Sequence, residues 1–156
     1  MKEQSIRQYI PGEICLRCQG CCRYSENPSI WSANLLPQEK EALNLDKPKL
    51  ITSKQSYLCA FLNPENNHCR IYEERPFECR LYPFLLNNCC GKISLSLDLA
   101  CPYTGSRIDS REFKDYLEYL VRYIHTPSVL TILEKSRKVF PSYPAEQVVD
   151  LAELRI

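Results

Sequence analysis

The chain has 156 residues, close to one domain's worth, and its 20 Lys plus Arg against 19 Asp plus Glu leave a formal net charge of +1. Balanced charge removes the long-range attraction on which nucleic-acid binding rests, and no run approaches the roughly 18 apolar residues of a membrane span. Ten Cys, eleven Pro and four Gly set the rest of the frame: scarce glycine excludes Gly-rich phosphate loops, and two histidines, His68 and His125, exclude an HExxH zinc protease.

Residues 1–14 are polar, carry no apolar signal-peptide core and end in a Pro11-Gly12 turn, so the expected setting is the reducing cytoplasm, where closely spaced thiols read as metal ligands rather than disulfides. The first cysteine group, Cys15, Cys18, Cys21 and Cys22, follows at once. The segment 34–43 reads as a short helix, with Pro37 in its first turn and Glu39 and Glu41 near its positive end. Residues 57–62 predict a strand, the run Asn63-Pro64-Glu65-Asn66-Asn67 a turn, and 69–72 the returning strand. Pro76 opens a further helix carrying Cys79, Tyr82 and Phe84. The run 92–99 alternates strictly, with Ile93, Leu95, Leu97 and Leu99 on one face, and Cys101-Pro102 stops it. Asp109 with Glu112 reads as a capping box for a helix to Ile124, whose apolar stripe is Phe113, Tyr116, Leu117, Leu120, Val121 and Ile124. Thr126-Pro127 starts a second helix through Val139, and residues 141–156 have no clear period. The expected architecture is a single α+β domain, with a small metal-organised region over 12–103 made of short strands and helices, then a two-helix C-terminal region over 104–156.

The chemistry lies in the thiols. In Cys15-x2-Cys18-x2-Cys21-Cys22, two intervening residues let successive sulfurs converge from a tight loop, as in zinc knuckles and iron–sulfur loops. Neighbouring side chains diverge, so Cys21 and Cys22 suit different centres. Cys59, Cys69, Cys79 and Cys101 are each isolated; with the first four they make eight, enough for two four-coordinate sites. Thiolate quartets serve zinc and iron–sulfur clusters alike. The run-on triplet favours iron, since structural zinc sites come as separated CxxC pairs. A radical-SAM C-x3-C-x2-C is absent, because Ser25 stands where its third cysteine would be. Arg17, Arg23, Arg70, Arg75 and Arg80 lie within a few residues of a cysteine, where guanidinium groups offset the negative charge of a thiolate cluster without ligating. In Arg75-Pro76-x-x-Cys79, proline fixes a first helical turn and sets the thiol near unpaired amides. Tyr72, Tyr82 and Phe84 are aromatic candidates for shielding the centre, or ordinary core. Cys89-Cys90-Gly91 reads either as a non-ligand turn or as a metal ligand or accessible redox pair, and His68 either as a turn residue or as a nitrogen ligand.

CLRCQGCC at 15–22, Cys59, CRIYEERPFECRLYPF at 69–84 and Cys101-Pro102 together resemble the YkgJ-like cysteine-cluster family, also described as the CxxCxxCC zinc- or iron-chelating domain. The resemblance covers residues 12–103, and its most specific pieces are the CxxCxxCC run and the C-x-IYxxRPxxCRxYP segment. It implies Cys15, Cys18, Cys21, Cys22, Cys59, Cys69, Cys79 and Cys101 as cofactor and metal ligands. A similar domain in flagellin lysine N-methylases implies an iron–sulfur cluster, 4Fe–4S, with zinc as the alternative; methylase activity does not follow, since only the cysteine domain is shared. The expected roles are electron transfer or protein modification with another protein as redox partner or target, a zinc-stabilised interaction module, or a metal carrier.

Overall fold

The computed structural model describes residues 5–18 and 20–156, which form two compact units. One, the cysteine unit, runs from Ile10 to Arg80; the other, the sheet unit, joins the segment ending at Tyr9 to Leu81–Ile156. The division falls at 80/81, because the strands after residue 83 pair with the C-terminal segment rather than with the cysteine-rich one.

Short elements make up the cysteine unit. Helix α1 spans Gly12–Arg17, β1 Arg23–Tyr24, α2 Pro37–Leu43, β2 Leu50–Ser53, β3 Ser56–Cys59, β4 Leu62–Asn63, β5 His68–Cys69 and α3 Phe77–Leu81. The strands form an antiparallel β1-β3-β2 sheet and a separate β4-β5 hairpin. The expected strand 57–62 is therefore broken at Ala60-Phe61, and its second half alone pairs across the turn, Leu62 with Cys69 and Asn63 with His68. Pro37 does open α2, and the Glu39 carboxylate reaches back to accept from Leu36 N–H at 2.8 Å. Its other oxygen accepts from Phe77 N–H at 2.6 Å, while Glu78 accepts from Asn34 N–H at 2.7 Å. Two carboxylates thus bolt the entry of α2 to the start of α3, satisfying donors that a helix N-terminus leaves free. Burial holds both carboxyls above their ordinary range, Glu78 at about 7.

Strand β6 (Phe84–Cys89), β7 (Lys92–Asp98) and β8 (Val148–Leu154) make the antiparallel β6-β7-β8 sheet of the second unit. Ile93, Leu95 and Leu97 are buried as their alternation predicts, but the strand ends at Asp98 and Leu99 is half exposed. Helix α4 (Pro102–Gly105) is followed by α5 (Arg111–Ile124) and α6 (Pro127–Ser136). The cap of α5 is Ser110, whose hydroxyl accepts from Phe113 N–H at 3.1 Å; the Asp109/Glu112 capping box does not form, because the helix starts one residue later than that pairing needs. From α5, Phe113, Tyr116, Leu120 and Ile124 are buried, with Leu117 and Val121 at the margin. Phe113 stacks on Phe84 at 5.5 Å, and Tyr9 packs edge-on to both at 5.9 Å or closer. Phe84 and Tyr82 therefore lie outside α3: Phe84 is the fully buried heart of this aromatic core, and the Tyr82 hydroxyl donates to Asp98 at 3.0 Å. Among the described residues, eighteen buried apolar side chains fall in the sheet unit and six in the cysteine unit. No helix among the described residues is long and apolar enough to cross a membrane.

Candidate metal centre

Cys15 sits inside α1 and Cys18 is its C-cap, three residues on and so on the same face. The structure therefore makes the first half of the triplet helical, not a loop. Cys21 and Cys22 precede β1; Cys59 ends β3, and its N–H donates to Cys22 C=O at 3.0 Å. Cys69 lies on β5 and Cys79 is the third residue of α3. Seven of the eight motif cysteines thus belong to the cysteine unit. Cys101 belongs to the sheet unit, where it is buried at the N-cap of α4.

Five of the seven feel one another. The Cys22 thiol is pushed up by its hydrogen bond with the Cys21 thiol, then by burial, with Cys79 and Cys59 as further neighbours. Burial pushes up Cys79 and Cys59, each reinforced by Cys21 and Cys69 and, for Cys79, by Cys59 and Glu78. Tyr24, whose hydroxyl donates to Cys21 C=O at 3.2 Å, is raised by burial and by Cys22, Cys59, Cys79 and Cys21. Gathered thiolates would repel one another, so the cluster holds its sulfurs protonated; a bound cation would invert that balance and take the deprotonated sulfurs as ligands. Among the described residues no three Cys, His, Asp or Glu side chains already close on one point, so these sulfurs share a neighbourhood without forming a finished cage.

What holds the neighbourhood together escaped the sequence reading. Asn67, at the end of the turn, takes a positive φ of 57°. From there its amide donates to Leu16 C=O at 3.1 Å and to Cys18 C=O at 2.5 Å, and its Oδ1 accepts from Arg23 Nη2 at 3.2 Å. One side chain therefore ties α1, β1 and the hairpin bearing Cys69. The run of turn-forming asparagines is visible in the sequence, but which of them reaches another segment is not. Arg23 Nε is buried and has no hydrogen-bond partner among the described residues. An orphaned donor on the residue that follows Cys22 fits the negative charge of a thiolate- or sulfide-bearing metal group.

The other flagged arginines mostly brace backbone. Arg75 Nε donates to Tyr72 C=O at 2.7 Å while its guanidinium covers the Tyr72 ring at 3.6 Å. Arg80 donates to Glu73 C=O at 3.0 Å and Arg70 to Ala60 C=O at 3.2 Å. Tyr72 approaches the start of α1 so closely that a Cβ on Gly12 would stand 2.8 Å from its hydroxyl. His68 is exposed and, with Glu13, Arg17, Glu65 and Asn67, lines a polar cleft of about 530 Å³ beside α1. His125 caps α5, its Nδ1 2.8 Å from Val121 C=O.

Residues 14–102 match a family model described as "CxxCxxCC: Putative zinc- or iron-chelating domain". An uncharacterized protein of Methanocaldococcus jannaschii is 32% identical over 72 residues, covering 42% of this chain and 40% of that protein, so the chain spans less than half of that relative's length. No solved structure matches the chain.

Proposed function

Because this chain belongs to the CxxCxxCC family of zinc- or iron-chelating domains, and so is a metal-binding protein, we propose that its metal is iron, held as a 4Fe–4S-type cluster by cysteines of the unit that spans residues 10–80. The ligand pool is Cys15, Cys18, Cys21, Cys22, Cys59, Cys69 and Cys79, with Cys101 as the eighth member within the matched span. One observation carries the reading: a unit of short helices and two- to four-residue strands, with six buried apolar side chains among its described residues, concentrates seven thiols. Such a unit has little apolar core of its own, and metal ligation at roughly 10–16 kcal/mol per structural site is the size of term that replaces one. An iron–sulfur group would supply one-electron chemistry; the protein's part is to bind it, screen it with Tyr24 and Arg23, and present the polar cleft to a partner protein. Electron transfer to, or modification of, that partner is the role this arrangement suits.

Zinc is the second reading, since the family description names it beside iron. Anaerobic purification with a visible spectrum and parallel iron, sulfide and zinc analysis separates the two. A broad band near ~400 nm with iron and sulfide in matching amounts supports the cluster. A colourless protein with stoichiometric zinc replaces it with a structural interaction module.

A further inference from the structure

Arg23 is held differently from the arginines that brace backbone. It opens β1 directly after Cys22 and stands opposite Leu58, the residue before Cys59, whose N–H donates to the Cys22 carbonyl at 3.0 Å. Its Nη2 donates to Asn67 Oδ1 at 3.2 Å, and the Asn67 amide in turn donates to the carbonyls of Leu16 and Cys18. The guanidinium is thus fixed at one end, two hydrogen bonds from the Cys18 backbone. Its Nε is buried without a hydrogen-bond partner, and no carboxylate pairs with the side chain, among the described residues. A cation with a buried, unpaired N–H and no counter-charge is costly to keep, and an anion at Nε would satisfy both needs.

Thiolates gathered on a metal keep net negative charge, and their sulfurs accept N–H bonds. At the far end of the guanidinium, Asn67 and Leu16 both line the polar cleft beside α1, with Arg17 and His68. We propose that Arg23 couples the metal centre to this cleft. Its Nε–H donates to a sulfur of the metal–thiolate group while its Nη2 holds Asn67, so filling the metal site fixes α1 against the β4–β5 hairpin and sets the shape of the cleft. Without that acceptor, holding the guanidinium in place leaves a buried donor unpaired, and letting go of Asn67 relieves the cost. This difference between the two states is what carries the coupling. A partner protein then meets a formed cleft only on metal-loaded chains. The inference rests on the reading that cysteines of the 10–80 unit bind metal, and it is the same for iron and for zinc.

The test takes the full chain, loaded with metal, and makes two measurements: the rate of metal loss to a chromophoric chelator, and hydrogen exchange in peptides spanning 13–18 and 64–69. Asn67→Ala breaks the tie and keeps the guanidinium, whereas Arg23→Gln removes the guanidinium itself. Arg23→Gln should therefore lose metal roughly tenfold faster than Asn67→Ala, the size of one charge-assisted hydrogen bond. Its exchange in the two peptides should rise to the Asn67→Ala level, and the double variant should rise no further. Arg23→Lys keeps the charge without the fork, and carries the test if the glutamine variant does not fold. It should slow metal loss towards the wild-type rate while exchange stays raised. Metal loss from Arg23→Gln no faster than from Asn67→Ala would overturn the contact with the metal group. Wild-type exchange in both Arg23 variants would overturn the coupling to the cleft. A wild-type chain that retains neither iron nor zinc would remove the metal reading beneath the proposal, which neither of the other results can do.

Discussion

Replacing Asn67 by alanine should weaken the cysteine unit by about 3 kcal/mol. The amide makes two bonds to carbonyls, of Leu16 and Cys18, and one to the Arg23 guanidinium. At ~1 kcal/mol for each neutral bond and ~1.5 for the charged one, the bonds account for about 3.5 kcal/mol, reduced to roughly 2 because the residue is only partly buried. Alanine adds about 1 kcal/mol of strain at the φ of 57° that asparagine tolerates. Asn67→Gly loses the same bonds without the strain, so it should fall about 1 kcal/mol closer to the wild type. Asn67→Asp isolates the donors: it keeps an acceptor for Arg23 but turns a carboxylate onto two carbonyl oxygens, and should be no better than glycine despite its shape. Urea unfolding followed by far-UV circular dichroism orders the three variants. Native-state labelling of Cys15 and Cys18 by a thiol reagent reports whether α1 has come loose from the hairpin. Asn67→Ala within about 0.5 kcal/mol of the wild type, with unchanged labelling, would refute the argument, as would a stabilised Asn67→Asp.

Four further outcomes can be checked in the same assays. Glu39→Ala should cost about 2 kcal/mol, since it strands the Leu36 and Phe77 amides, and unfolding midpoints will show it. Leu95→Ala, at a fully buried position in the central strand, should cost about 2–5 kcal/mol in the same measurement. Cys90→Asn should hold or raise the melting temperature, because asparagine accepts the left-handed turn position at lower cost than cysteine. Removing the metal with a chelator should abolish protease resistance within residues 10–80 before residues 81–156; simultaneous cleavage of both would count against metal as the organiser of the cysteine unit.

Part of the fold was readable because it rests on local spacing. Pro37 at a helix start and the 3.6-residue stripe of α5 are set by neighbours a few positions away, and each stands where its spacing placed it, whereas Cys15-x2-Cys18, expected in a tight loop, lies on helix α1. β6 was hidden for the opposite reason. Asn87 and Asn88 carry turn chemistry, yet they sit in a strand because distant groups satisfy them. Asn87 Oδ1 accepts from Tyr143 N–H at 3.0 Å, and its Nδ2 donates to Asp150 at 3.3 Å. β8 was equally opaque: a bulge opposite Leu95 and Ser96 breaks its period, and Asp150 is tolerated there because Ser96 Oγ donates to it at 2.5 Å.

By itself, the sequence determined that this is a thiol-rich metal-binding chain of mixed α and β structure, since ligand type and local period are properties of short segments. Tertiary structure alone decided which thiols share a neighbourhood. It put seven in one unit and Cys101 in the other, set Cys89 and Cys90 apart at a hairpin tip, and made Asn67 the tie between three segments. Those are contacts between residues tens of positions apart, fixed by strand pairing and by where buried polar groups find partners, and no local pattern encodes them.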